Sequence, residues 1–217
     1  FRSIQKTSTT LAAQIEQNGQ GLQDAIHFLQ DCYYQSAEES NNLGLRDWPK
    51  QIVHGDWHPG NMLFRDRLVV AVIDYDTARL QQRVIDLANG ALQFSIVGGG
   101  DNPLNWPEHL DVKRFRQFLT GYDSVNVITT DELRAIPYLM CEAMIAEAAV
   151  PIAQTGTFGR FDGGDFLKMI QMKANWILDH LNDLANILSE AEDEDGEYIT
   201  SAQPVEESEN EDDDLDA

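Results

Sequence analysis

The chain has 217 residues, an apolar share of 42% and a formal charge of −22 at pH 7. This length is enough for one domain with a sizeable core. The acidic balance argues against a nucleic-acid-binding protein, which needs a basic surface. We expect a cytoplasmic protein without a membrane span, because the sequence has no secretory signal at its start, no run of eighteen apolar residues and only two cysteines, Cys32 and Cys141.

The first fifty residues predict helices followed by a loop. A polar helix is predicted over residues 4–17, and a second over residues 22–34, where Leu22 and Ile26 lie at helical spacing. Residues 36–50 are polar and contain glycine and proline, so they predict a loop that leads into the next part of the chain.

A β-hairpin is predicted where the chain becomes rich in β-branched residues. Residues 51–53 form a short apolar entry, and residues 62–64 and 68–73 have the pattern of two strands. The three residues between these strands are few enough for a hairpin turn. The second strand then ends at Asp74.

From residue 83 onward the sequence predicts helices, separated by breaks that contain glycine and proline. The predicted helices span residues 83–97, 110–122, 131–150 and 164–188. Residues 190–217 contain fourteen acidic residues and no lysine or arginine, which predicts a disordered acidic tail. We therefore expect one domain over residues 1–189 and a tail over residues 190–217, whose partner is unknown.

Polar side chains meet at one end of the predicted hairpin. Asp56 lies in a loop with glycine and proline before the first strand, Asn61 opens that strand, and Asp74 closes the second. Because the first strand of a hairpin starts beside the end of the second, these three groups are expected to come together. Such oxygen donors suit Mg²⁺, which takes few protein ligands and keeps water or phosphate oxygens. A carboxylate that stays off the metal can accept a proton from an attacking hydroxyl.

The stretch from His54 to Asn61, together with the Ile-Asp-Tyr-Asp sequence that contains Asp74, resembles the catalytic loop and metal-binding hairpin of aminoglycoside phosphotransferases and choline kinase-like enzymes. Asn61 follows Asp56 by five positions, as in the kinase pattern H-R-D-x-x-x-x-N. His-Gly-Asp in place of His-Arg-Asp is typical of this small-molecule kinase branch. The resemblance covers residues 51–90.

The resemblance implies an α+β, mainly helical fold: the C-terminal lobe of a protein-kinase-like fold, whose small β-hairpin carries the catalytic and metal-binding residues. It implies a kinase that uses ATP and Mg²⁺ to phosphorylate a hydroxyl of a small molecule. Asp56 would accept or orient the proton of that hydroxyl, while Asn61 and Asp74 would hold the nucleotide-bound Mg²⁺. Aminoglycoside-like, homoserine-like and choline-like acceptors all stay open, because acceptor choice lies in the variable helical part.

Four neighbouring polar residues have further interpretations. His54 is expected to support the loop by hydrogen bonding, and His58 to orient Asp74 or to contact phosphate. Asp76 would share a strand face with Asp74, since side chains repeat every two positions along a strand, so it would either aid the metal or the acceptor or cap a turn. Asp86 resembles the aspartate that opens the following helix in this family and supports the catalytic loop.

The upstream lobe that clamps ATP in such kinases is not recognisable in this sequence. Only 53 residues precede His54, and neither Lys6 nor Lys50 lies within an apolar strand pattern. We therefore expect a fragment that consists of the C-terminal lobe, and this lobe alone would bind ATP poorly.

Two other functions stay open at this stage. A kinase-like binding module without catalysis would explain the missing lobe and the acidic tail, although Asp56, Asn61 and Asp74 are all present. A metal-dependent hydrolase would use His54, Asp56 and His58, which alternate along the chain. The hydrolase interpretation leaves Asn61 unexplained and needs further ligands downstream.

Overall fold

The computed structural model describes residues 20–189, so the predicted helix at residues 4–17 and the predicted tail at residues 190–217 lie outside the described residues. Within the described part the chain is mainly helical and has three small sheets, which is consistent with the expected α+β class. The helices are α1 (Gln20–Asn42), α2 (Arg83–Ser95), α3 (Val112–Asp123), α4 (Thr130–Thr155), α5 (Gly163–Asp179) and α6 (Leu181–Asn186). The strands are β1 (Lys50–Val53), β2 (Met62–Arg65), β3 (Leu68–Val72), β4 (Arg79–Gln82), β5 (Thr157–Phe158) and β6 (Phe161–Asp162).

Each sheet is an antiparallel pair of strands. Strands β2 and β3 form the predicted hairpin, in which Met62 lies opposite Val72. Its turn has positive φ angles at Asp66 (50°) and Arg67 (69°), and two such residues match the twist of a tight hairpin. Strand β1 pairs with β4, which is not predictable from the sequence pattern because residues 79–82 are mostly polar.

The core lies between the helices. Helix α4 is central, since α1, α2, α5 and α6 all pack against it. Its length and composition also satisfy the criteria for a membrane-spanning helix, but more than half of its most apolar window is buried among the other described elements, as in a core helix. The predicted helix over residues 164–188 is instead two helices, α5 and α6, which meet at His180.

Helix α1 runs further than the sequence predicts. Its buried stripe, which includes Leu22 and Ile26, continues through Ser36 and Ser40. The Ser40 hydroxyl donates to the Ser36 carbonyl oxygen at 2.8 Å, so this polar group is satisfied within the helix. The loop predicted over residues 36–50 is therefore wrong in its first half, because small polar residues form part of a buried helix face there.

A capping box begins helix α4. Thr129 is the N-cap, since the Thr129 hydroxyl accepts from the Glu132 N–H at 3.2 Å and the Glu132 carboxylate accepts from the Thr129 N–H at 2.9 Å. Arg83, the first residue of α2, donates twice to the same carboxylate, at 2.8 and 2.7 Å. This ion pair joins the start of α2 to the start of α4. Helix α2 also carries Asp86, which lies in its first turn.

Candidate active site

A carboxylate on helix α2 holds the loop that carries Asp56. Asp86 lies in the first turn of α2, and its carboxylate accepts hydrogen bonds from the His54 N–H at 2.5 Å and from the Gly55 N–H at 2.8 Å. Charge-assisted hydrogen bonds of this kind are stronger than bonds between neutral groups. Asp86 thus supports the loop, as its resemblance to the aspartate of the kinase family implies.

The segment after β3 packs against the same loop. The Thr77 hydroxyl donates to the His54 carbonyl oxygen at 2.9 Å, and the His54 ring donates from Nε2 to the Ile73 carbonyl oxygen at 2.9 Å. Gly55 has a φ of +80°, and a Cβ at this position would lie 2.6 Å from the Thr77 carbonyl oxygen, so only glycine fits. His54 is buried and bonds to backbone groups, which confirms its expected supporting role.

Asp56 and Asn61 come together as their spacing predicts. The Asn61 side-chain amide donates to Asp56 Oδ2 at 2.9 Å and to the Asp56 carbonyl oxygen at 3.0 Å. Asn61 is buried, whereas the Asp56 side chain is 44% exposed. Since the amide nitrogen is committed to Asp56 and no described residue donates to Asn61 Oδ1, this oxygen is left for another partner.

The side chain of His58 contacts Asp56. The Gly60 N–H donates to His58 Nδ1 at 3.0 Å, so the proton of the neutral imidazole lies on Nε2. This Nε2 atom lies 3.5 Å from Asp56 Oδ2. We expected His58 to orient Asp74 or to contact phosphate; the contact that forms within the described residues is with Asp56, whose Oδ2 atom is flanked by His58 and Asn61.

Asp74 directly follows the hairpin, next to Asn61. The Ile73 N–H donates to the Asn61 carbonyl oxygen at 2.9 Å, so the pairing of the two strands extends to the residue before Asp74. Asp74 has a φ of +64°, and residues held in such uncommon conformations cluster at ligand-binding sites. The chain leaves the strand here, so Asp76 does not share a strand face with Asp74. The Asp74 side chain is exposed and forms no hydrogen bond or ion pair with the described residues.

The oxygen atoms left free at this site fit a hard cation. Asn61 Oδ1 and the Asp74 carboxylate are the kind of donors that Mg²⁺ takes in small number, with phosphate or water oxygens as its other ligands. Within residues 20–189, no group of three or more His, Cys, Asp and Glu side chains is arranged to hold a metal ion. The described residues therefore do not form the metal cluster that the hydrolase interpretation needs. With only two oxygen donors left free, the site suits a cation whose other ligands are phosphate or water oxygens.

A cleft of about 500 Å³ opens beside Asp56. Residues of α1, β4, α2 and α4 form its walls, so the packing of distant segments creates it. Its volume lies in the range of small-molecule binding sites. The charged residues that line it are Arg46, Asp56, Arg79, Asp86, Glu142 and Glu147.

Two carboxylates of the cleft wall, on helix α4, were not identified from the sequence. Burial raises the pKa of Glu142, although the Ser40 hydroxyl donates to its carboxylate at 3.4 Å. Desolvation by the surrounding protein, followed by the nearby charge of Asp56, raises the pKa of Glu147, which accepts from the Gln93 amide at 3.0 Å. No local signal distinguishes these residues, because only the packing of α4 against α1 and α2 turns them toward the cleft.

Comparison with known proteins gives one family. The model of the phosphotransferase enzyme family matches residues 4–133, which is more than half of the chain. Searches of curated proteins and of solved structures find no match. The matched stretch includes Asp56, Asn61 and Asp74, whereas Glu142 and Glu147 lie beyond it. The family match therefore does not cover the cleft wall that these two glutamates form.

Proposed function

Because the chain belongs to the phosphotransferase enzyme family, we propose that it is an ATP- and Mg²⁺-dependent kinase that phosphorylates a hydroxyl of a small molecule bound in the cleft beside Asp56. The observation that carries this proposal is the hydrogen bond from Asn61 to Asp56, within a loop that Asp86 holds by two further bonds. These bonds fix one carboxylate at the cleft and leave oxygen donors free beside it. Phosphoryl transfer depends mainly on such positioning and on charge neutralisation.

In this proposal Asp56 accepts or orients the proton of the acceptor hydroxyl. Asn61 and His58 flank Asp56 Oδ2, so the carboxylate is restrained and Oδ1 is left for the hydroxyl. A general base must lie within hydrogen-bond reach of the proton that it takes, and Asp56 lines the cleft. As this proton moves to Asp56, the hydroxyl oxygen bonds to the γ-phosphorus of ATP and the bond to the ADP oxygen breaks.

Asn61 and Asp74 are the residues that would hold Mg²⁺ together with the phosphate oxygens of ATP. When bound, the cation neutralises charge on the transferred phosphoryl group. The contribution of the protein is to present the Asn61 Oδ1 atom and the Asp74 carboxylate at adjacent strand ends, which the pairing of β2 with β3 keeps together.

Transfer of label from [γ-³²P]ATP to a panel of alcohols, amino alcohols and aminoglycosides tests the proposal. We expect Mg²⁺-dependent labelling that Asp56→Asn lowers by roughly 10²- to 10⁴-fold, the usual contribution of a positioned base, with little change in ATP affinity. Asp66→Asn, an exposed change in the hairpin turn, is the matched control and should keep the wild-type rate. Full activity of Asp56→Asn would contradict the role of this residue. If the chain binds Mg²⁺-ATP in a titration, a lack of EDTA-sensitive transfer to every acceptor would contradict the function.

A further inference from the structure

Glu147 belongs to two cavities at once. It lines the cleft beside Asp56, and it also lines a second cavity of about 200 Å³. We call this second space the aromatic cavity, because its wall includes the rings of Trp106, Phe158, Phe161 and Phe166. The remaining wall is aliphatic apart from Gln93, so Glu147 is the charged residue at the junction between a polar cleft and an apolar cavity.

The short hairpin of β5 and β6 builds the aromatic wall. Phe158 pairs with Phe161 across this hairpin, and both rings stack on Phe166, with centroid distances of 4.2 and 5.9 Å. Trp106 meets Phe161 edge-on at 5.4 Å. Gly159, with a φ of +55°, lies in the turn between the two strands. Because these rings restrict one another, the wall is formed before any ligand arrives.

The aromatic cavity has the size of one ring. An engineered protein cavity of about 150 Å³ with an apolar lining stays dry and binds benzene. A space of about 200 Å³ with four aromatic residues in its wall is thus large enough for a single aryl group or a short branched alkyl group. It is too small for a second ring system or for a long chain.

Glu147 gives the junction a carboxylate that is not ion-paired within residues 20–189, and His58 is the nearby basic group that favours its ionised form. Its side chain is exposed to the cleft and accepts one hydrogen bond, from Gln93. None of the described Lys, Arg or His residues forms an ion pair with it. Desolvation by the surrounding protein and, next, the negative charge of Asp56 raise the pKa of Glu147, whereas His58 and the hydrogen bond from Gln93 act in the opposite direction. A cation bound between the Glu147 and Asp56 carboxylates would offset their mutual repulsion and favour the ionised form of Glu147.

We propose that the acceptor is an alcohol with one ammonium group and one compact aryl or branched alkyl substituent. The ammonium binds Glu147, the apolar substituent enters the aromatic cavity, and the hydroxyl points to Asp56. The position of the hydroxyl rests on the proposed kinase function, whereas the other two contacts do not depend on it. Because Glu147 is shared by both cavities, the ammonium must lie between the hydroxyl and the apolar group, and a fully polar polycation leaves the aromatic cavity empty.

Binding of 2-phenylethylammonium, measured by calorimetry without ATP or Mg²⁺, tests this inference. Ethylammonium lacks the ring, and 2-phenylacetamide lacks the charge. We expect 2-phenylethylammonium to bind about tenfold or more tightly than either, because it alone satisfies Glu147 and fills the aromatic cavity. Glu147→Gln should abolish its advantage over 2-phenylacetamide. Glu142→Gln, the matched change at the other α4 glutamate of the cleft, should retain that advantage.

Contacts between the ring protons of 2-phenylethylammonium and the side chain of Phe158, seen as nuclear Overhauser effects, locate the ring in the unmutated protein. Such contacts support the inference; equal affinities for the three probes, or ring contacts only outside the aromatic cavity, would overturn it. Neither experiment needs turnover. If 2-phenylethylammonium binds as expected but no alcohol is phosphorylated, the kinase function alone is refuted. If alcohols without an amine are phosphorylated and the three probes bind equally, the acceptor class alone is refuted.

Discussion

The change Asp86→Asn tests how the loop of Asp56 is held. In the wild type the Asp86 carboxylate accepts hydrogen bonds from two adjacent backbone N–H groups, those of His54 and Gly55. An amide retains one acceptor oxygen and turns an NH₂ group toward the second N–H, so one charge-assisted bond is lost and one donor is left unpaired. A hydrogen bond to a charged group contributes about 1.5–3 kcal/mol, so we expect a loss of about 1.5–3 kcal/mol in the free energy of unfolding.

Asp86→Asn should lower the stability of the protein and loosen the loop that carries Asp56, and each effect can be measured. Urea titration gives the loss of stability, and hydrogen exchange should show faster exchange of the His54 and Gly55 amides than in the wild type. A displaced Asp56 should also lower kcat on the order of 100-fold, as small misplacements of catalytic groups do. Asp66→Asn again provides the control. An unfolding free energy within about 0.5 kcal/mol of the wild type, with unchanged amide exchange, would refute the reasoning.

Two further predictions concern buried charges. Lys173 is buried and donates to the carbonyl oxygens of Val97 and Pro107, and burial lowers its pKa to about 8. In the unfolded chain Lys173 regains the ordinary lysine pKa near 10.5, so the unfolded state binds more protons than the folded state between pH 8 and 10.5. The free energy of unfolding, measured by urea titration relative to Lys173→Met, should therefore rise by about 3 kcal/mol over this pH window. A difference between the two proteins that does not change with pH would contradict this. Burial alone raises the pKa of Glu132, but the hydrogen bonds that it accepts, first of all from Arg83, hold that pKa below its ordinary value. The contribution of Glu132 to stability is thus present above its unfolded pKa and is lost as the pH falls through its folded pKa. Glu132→Gln should lower the free energy of unfolding by about 3 kcal/mol at pH 7 and weaken its dependence on pH in the acid range. A variant as stable as the wild type at pH 7 would count against the ion pair.

The sequence predicts the parts of the site that depend on neighbouring residues. Asp56 and Asn61 lie in one short loop, so their spacing alone brings them within hydrogen-bond distance. The hairpin follows from two β-branched runs and a short turn, and it carries Asp74 to the side of Asn61. The family match covers the same residues.

The parts that depend on distant packing could not be predicted. Strand β4 is polar and becomes a strand only because β1 pairs with it. Glu142 and Glu147 are the two charged residues of the stretch 135–153 in helix α4, and the sequence does not show which face of this helix meets the cleft. The aromatic cavity needs Trp106 and the β5–β6 hairpin to meet around α5, and this contact joins residues about fifty positions apart. Lys173 would be expected at the surface by its residue type, yet two backbone carbonyl oxygens hold it inside.

We propose that Asn61 and Asp74 hold one nucleotide-bound cation, with Asp56 beside it and off the metal. Paramagnetic relaxation by Mn²⁺ with ATP, recorded in nuclear magnetic resonance spectra, tests it most directly, because broadening falls off steeply with distance from the ion. We expect selective broadening of the Asn61 side-chain amide and of the backbone amide of Asp74, which Asp74→Asn should greatly reduce. Broadening confined to acidic residues elsewhere, or unchanged in Asp74→Asn, would contradict the account.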